Sequence, residues 1–82
     1  MNKIEIIGKE DCVWCVQAKL LLDNKEIDYE YKTLFEDLSL TELRERVPDV
    51  KTVPVVFINE QYIGGYQSLE AYLRREENNG TL

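Results

Sequence analysis

The chain has 82 residues, enough for one domain and too few for two separately stable cores. Its net charge of −6 argues against nucleic acid and anionic membrane surfaces as partners, because binding to phosphates depends on Lys and Arg neutralising them. It contains no histidine, which removes Ser-His and Cys-His nucleophile pairs and every metal site that needs imidazole.

Ile4-Glu5-Ile6-Ile7 reads as a short strand ending at the breaker Gly8. No long apolar stretch precedes it and no apolar run approaches about 18 residues, so the expected location is the cytoplasm. After the loop Lys9-Glu10-Asp11, residues from Val13 to Lys25 read as a helix, with Val13, Val16, Leu20 and Leu21 at near-helical spacing. Ile27 to Leu34 follows as a strand, Tyr29, Tyr31 and Thr33 sharing one face.

Ser39 and Glu42 form a capping box, and Leu38 and Leu43 stand where a hydrophobic staple would put them. They predict a helix that buries Leu40, Leu43 and Val47 and stops at Pro48. Val55-Val56-Phe57-Ile58 is a continuous apolar run, the pattern of a central strand covered on both faces. Asn59 to Gln61 make a turn, Tyr62-Ile63 return, and Gly64-Gly65 interrupt before a last helix carrying Leu69, Tyr72 and Leu73. The order β-α-β-α-β-β-α predicts an α/β fold: one four-stranded mixed sheet with helices on both faces. The first two strands should be parallel and the last two antiparallel. One domain is expected over residues 1–77, with residues 78–82 as a frayed tail.

The two cysteines, Cys12 and Cys15, carry the chemistry. Closing so short a loop removes little chain entropy, so a structural staple is a poor reading. Zinc normally wants four ligands and this pair offers two thiolates, so no metal site is expected. The strand-loop-helix context puts Cys12 at the first helical turn, where backbone N–H groups lack intrahelical partners and the macrodipole adds positive potential. In such settings a thiol pKa falls from about 8.5 into a range of roughly 3.5–7.5, which makes Cys12 a nucleophile near neutral pH. Cys15, one turn on, has its Cα about 5 Å away, within disulfide reach, and should be the more buried, resolving thiol. Lys9 could lend charge to the thiolate or simply be a surface lysine. Glu10 and Asp11 oppose it, and exposed terms of this kind are worth under about 1 kcal/mol each.

With Cys12-Val13-Trp14-Cys15 after a strand, and Thr52-Val53-Pro54 and Gly64-Gly65-Tyr66 downstream, the chain resembles the dithiol glutaredoxins of the thioredoxin-like fold, from about Ile4 to Leu73. The resemblance implies a thiol–disulfide oxidoreductase with glutathione as reducing co-substrate and no tightly bound cofactor. Cys12 would carry the mixed disulfide and Cys15 resolve it. Trp14 takes the place of an aromatic that flanks the substrate, although it also reads as a packing residue. Val53-Pro54 matches the family's cis-proline, beside which an extended peptide can pair with Val53.

Gly64, Gly65, Tyr66, Gln67 and Ser68 would form a helix N-terminus suited to the γ-glutamyl carboxylate; the same residues also read as a plain turn and cap. Lys9 and Thr52 complete the implied glutathione site. Two departures stand out: Val13 replaces a common proline, and Ser68 replaces an aspartate that helps hold the ligand's ammonium, which predicts weaker glutathione binding. Implied partners are disulfide-containing proteins, ribonucleotide reductase among them, and the chain should be a monomer. Two other readings remain open. One is a thioredoxin-like donor recharged by a flavoprotein reductase. The other is a dimer bridging an iron–sulfur cluster through Cys12 and two glutathiones, against which the second thiol and the bulky Trp14 weigh.

Overall fold

The computed structural model describes residues 3–80, and only the backbone of 77–80. Alternation along the first strand sets the architecture. In β1 (Ile4–Gly8) the side chains of Ile4 and Ile6 join one apolar cluster while Ile7 joins another on the opposite face. The sheet order is β2-β1-β3-β4, with β2 (Glu30–Thr33) parallel to β1, β3 (Val55–Ile58) antiparallel to β1, and β4 (Gln61–Gly64) antiparallel to β3. This is the mixed α/β sheet that the element order predicts.

Helices α1 (Val13–Asn24) and α3 (Tyr66–Gly80) cover one face, packing Ala18, Leu22, Leu69 and Leu73 on Ile4, Ile6, Val56 and Ile58. The short α2 (Leu40–Arg46) covers the other, setting Leu43 and the following Val47 against Ile7, Leu34, Val55 and Phe57. Each fully buried Leu or Ile contributes about 1.5–3 kcal/mol, and β1 and β3 are buried along their whole length. Among the described residues no helix is long and apolar enough to cross a membrane.

The capping box of α2 is complete. The Glu42 backbone N–H donates to Ser39 Oγ at 3.1 Å, and the Ser39 N–H donates to Glu42 Oε1 at 2.9 Å. At the hairpin, Asn59 and Glu60 both take positive φ (51° and 69°), the signature of a tight primed turn, and β4 starts at Gln61 rather than Tyr62. β2 is shorter than the expected Ile27–Leu34 stretch, because Glu26 turns with φ 56° and the chain reaches the sheet only at Glu30. The helix α3 continues to Gly80, past the expected tail boundary; Thr81 and Leu82 lie outside the described residues.

One expectation is overturned. The face of α1 that enters the core is Cys15, Ala18 and Leu22; of the four residues read at near-helical spacing, Val13, Val16 and Leu20 are 70%, 47% and 45% exposed, while Leu21 is partly buried against the core. Both triplets have helical spacing, but they lie two positions apart and so face nearly opposite ways. The small side chains of Cys15 and Ala18 let α1 lie close on the sheet, which decides the phase.

Sequence inspection also passes over a buried charge. Glu5, on the α2 face of β1, is 6% exposed. Arg46 grips it with two hydrogen bonds, Nη1 to Oε2 at 2.9 Å and Nη2 to Oε1 at 2.8 Å, and Lys32 Nζ approaches Oε2 at 2.9 Å. The Arg46 guanidinium also stacks 3.8 Å from the Phe57 ring centroid. Its hydrogen bonds, with those from Lys32, outweigh the opposing effect of burial and hold the Glu5 pKa down to about 2.

Candidate active site

β1 delivers the chain to a tight turn at Glu10 and Asp11, where Asp11 adopts φ 57°, a left-handed conformation that Asp tolerates. The turn places Cys12 as the N-cap of α1. Its Sγ accepts a hydrogen bond from the Cys15 backbone N–H at 3.2 Å, and its carbonyl accepts from Val16 at 3.2 Å. A sulfur in the N-cap role thus takes up one of the helix's orphan donors, the interaction that stabilises a thiolate when the bond to Cys15 opens.

Cys12 and Cys15 are joined as a disulfide with Cα atoms 5.2 Å apart. Cys15 is 1% exposed while Cys12 is half-buried, so an incoming group reaches the sulfur of Cys12 first. The asymmetry expected of an attacking and a resolving thiol is therefore built into the packing.

The peptide bond Val53-Pro54 is cis, and the Val53 carbonyl oxygen stands 4.0 Å from Cys12 Sγ. A groove of about 600 Å³ runs from here to α3, lined by Trp14, Thr52, Val53, Pro54, Gly65, Tyr66, Gln67, Ser68 and Glu70. Trp14 and Tyr66 form its aromatic wall, their ring centroids 5.2 Å apart and their planes tilted by 43°. The first intrahelical donor of α3 is Leu69, which donates to the Gly65 carbonyl at 3.1 Å, so the N–H groups of Tyr66, Gln67 and Ser68 precede the helical ladder.

Eight residues singled out from the sequence therefore meet in one groove. Gly64 stands just outside it, with φ 128°, and the Ser68 side chain fills the space its own side chain would need, so only glycine fits there. Lys9 is outside this groove but lines a neighbouring pocket with Thr52 and Val53. With Glu10, Asp11, Lys19 and Tyr31 it lines a second groove of about 570 Å³, on the β2 side of α1, which has Cys12 in its wall. Glu70 is a groove residue that the motifs do not point to; its place one turn after Tyr66 on the helix is the available signal.

A solvent-reachable sulfur at a helix N-terminus, a buried partner sulfur and a cis-proline beside them, on a thioredoxin-like sheet, define a thiol–disulfide oxidoreductase. The glutaredoxin family model matches residues 4–63. Glutaredoxin 1 of Escherichia coli is 33% identical over 76 residues, covering 84% of this chain and 89% of that protein. The structure of reduced Escherichia coli glutaredoxin superposes with a TM-score of 0.77 at 30% identity, covering 93% and 98% of the two chains. The Escherichia coli glutaredoxin-like protein NrdH-redoxin, described as having a thioredoxin-like activity profile, shares the fold at a TM-score of 0.67 and 21% identity, with 84% and 92% covered. This chain belongs to the glutaredoxin family.

Proposed function

We propose that this glutaredoxin draws electrons from glutathione to reduce protein disulfides and glutathione mixed disulfides. The observation that carries the reading is the groove between Val53-Pro54 and the start of α3, with Trp14 beside it. Its volume suits a tripeptide. An extended ligand can pair with Val53 as a strand does, and its γ-glutamyl carboxylate can meet the N–H groups of Tyr66 to Ser68. Thr52 and Gln67 complete the polar lining, and Gly65 lets the ligand approach the backbone closely.

The reaction runs in four displacements. The Cys12 thiolate attacks one sulfur of the substrate disulfide and the other leaves as a thiolate. Cys15 then attacks Cys12 Sγ and releases the second substrate thiolate, forming the Cys12–Cys15 disulfide. Two glutathione thiols reduce that disulfide in turn and leave as glutathione disulfide. The cytoplasm is the compartment that supplies glutathione in this reducing form. A monomer suffices for every step, and ribonucleotide reductase is a candidate among protein substrates.

Direct reduction by a flavoprotein reductase is the second reading, favoured by Ser68 in place of the family's aspartate. The test supplies oxidised protein with glutathione and glutathione reductase, or with a thioredoxin reductase alone, and follows NADPH consumption. Reduction in the first mixture and none in the second supports the proposal; the reverse overturns it.

A further inference from the structure

Cys15 must carry negative charge twice in each cycle: when it is expelled from the disulfide and when it attacks Cys12 Sγ. Yet its sulfur is buried beneath the first turn of α1. The parallel register sets Tyr31 of β2 beside Ile6 of β1, on the face that α1 covers. Two residues further along β1, Gly8 has no side chain. A Cβ there would overlap Tyr31 Oη and stand 2.9 Å from Cys15 Sγ. The hydroxyl and the sulfur therefore both pack against Gly8, where a side chain would otherwise stand.

We propose that Tyr31 is the positioning residue for the resolving cysteine, its phenol donating a hydrogen bond to the Cys15 thiolate. When an incoming thiolate bonds to Cys12 Sγ, the Cys12–Cys15 bond breaks and its electron pair goes to Cys15 Sγ. The phenol holds that charge until solvent supplies a proton. In the other direction the same bond keeps Cys15 as a thiolate aimed at Cys12 Sγ, and the substrate thiolate departs. Burial pushes the Tyr31 pKa up, so the donor is fully protonated at neutral pH. Lys19 Nζ of α1 lies 4.3 Å from the ring centroid, where a cation strengthens the phenol as a donor. The other charges lining this groove, Lys9 against Glu10 and Asp11, oppose one another. This role rests on thiol–disulfide exchange itself and not on glutathione as the electron source.

The test is Tyr31→Phe, which removes one oxygen and keeps the ring. In a Cys12→Ser background, thiolate absorbance against pH should show the Cys15 pKa raised by about one unit, a tenfold loss of thiolate at neutral pH. In a Cys15→Ser background, alkylation of Cys12 by iodoacetamide should be unchanged. Replacing Tyr31 by 3-fluorotyrosine, which keeps the shape and donates more strongly, should move the Cys15 pKa down. An unchanged Cys15 pKa in Tyr31→Phe, or equal changes at Cys12 and Cys15, or the same direction of change for phenylalanine and fluorotyrosine, would overturn the assignment.

Discussion

Glu5→Gln tests how β1, the strand that leads into the active-site turn, is tied to α2. In the folded protein the Glu5 pKa is about 2, against an ordinary value of 4.5. A tenfold difference in proton affinity between the folded and unfolded chain is worth about 1.36 kcal/mol, so the ionised form contributes up to about 3 kcal/mol. Lys32 and Arg46 are 39% and 33% exposed, which screens the pair and puts the measured figure nearer about 2 kcal/mol. The sign follows from a pKa lowered by folding. The stabilisation is whole above pH 4.5 and is lost as the pH falls toward 2. Urea unfolding at several pH values, with the disulfide intact, should find Glu5→Gln less stable than wild type by about 2 kcal/mol at neutral pH. The two stability curves should converge near pH 2. A gap of constant size at every pH would mean that Glu5 acts by packing and that its charge is worth nothing; no gap would remove the ion pair from the account altogether.

Three further outcomes concern the site. Cys12→Ser should abolish all thiol chemistry, whereas Cys15→Ser should keep turnover of small glutathione mixed disulfides and lose reduction of protein disulfides; equal losses in both variants would contradict the division of labour. Lys9→Gln should move the Cys12 pKa, read from thiolate absorbance, by less than about one unit, since the helix terminus rather than an exposed charge sets it. Ser68→Asp should lower the Michaelis constant for glutathione several-fold, because a charge-assisted hydrogen bond to the ligand's ammonium is worth roughly 1.5–3 kcal/mol against about 1 for a neutral hydroxyl. Reactivity toward a small neutral disulfide should not change in that variant, and an unaltered constant for glutathione would refute the placement of its amino group.

What can be read from the sequence is what local chemistry determines. Ser39 and Glu42 cap α2 whatever the rest of the chain does, and the apolar run Val55 to Ile58 is buried on both faces as its composition requires. The site motifs are legible because each is short, and the fold brings Val53-Pro54 and Tyr66 to Ser68 into one groove. The features that escape such reading depend on long-range register. Glu5 and Arg46 are 41 residues apart, and each alone looks like a solvated charge. Tyr31 comes to lie over Gly8, where Cys15 also packs, only through the parallel pairing of β1 with β2, and as one of two tyrosines on a strand face it signals nothing.

The phase of α1 is a different case, because the chemistry already contains the answer. A helix turns about 100° per residue, so a side chain at position 15 shares its face with 18 and 22 and turns its back on 13, 16 and 20. A count of apolar residues favours the second set, since three large aliphatic side chains outweigh one alanine, one leucine and a thiol. The reaction favours the first. A resolving cysteine has to be shielded while its partner stays reachable, and burying Cys15 brings Ala18 and Leu22 inward with it. The same rotation leaves Val13 and Trp14 in solvent beside Cys12, exposed at 70% and 58%. Large apolar side chains at these positions are therefore the cost of a first turn that presents one sulfur and hides the other. Where a hydrophobic stripe and a cysteine pair imply different phases for the same helix, the pair is the better guide: one sulfur must be buried and the other reachable, and the rotation that buries Cys15 meets that condition.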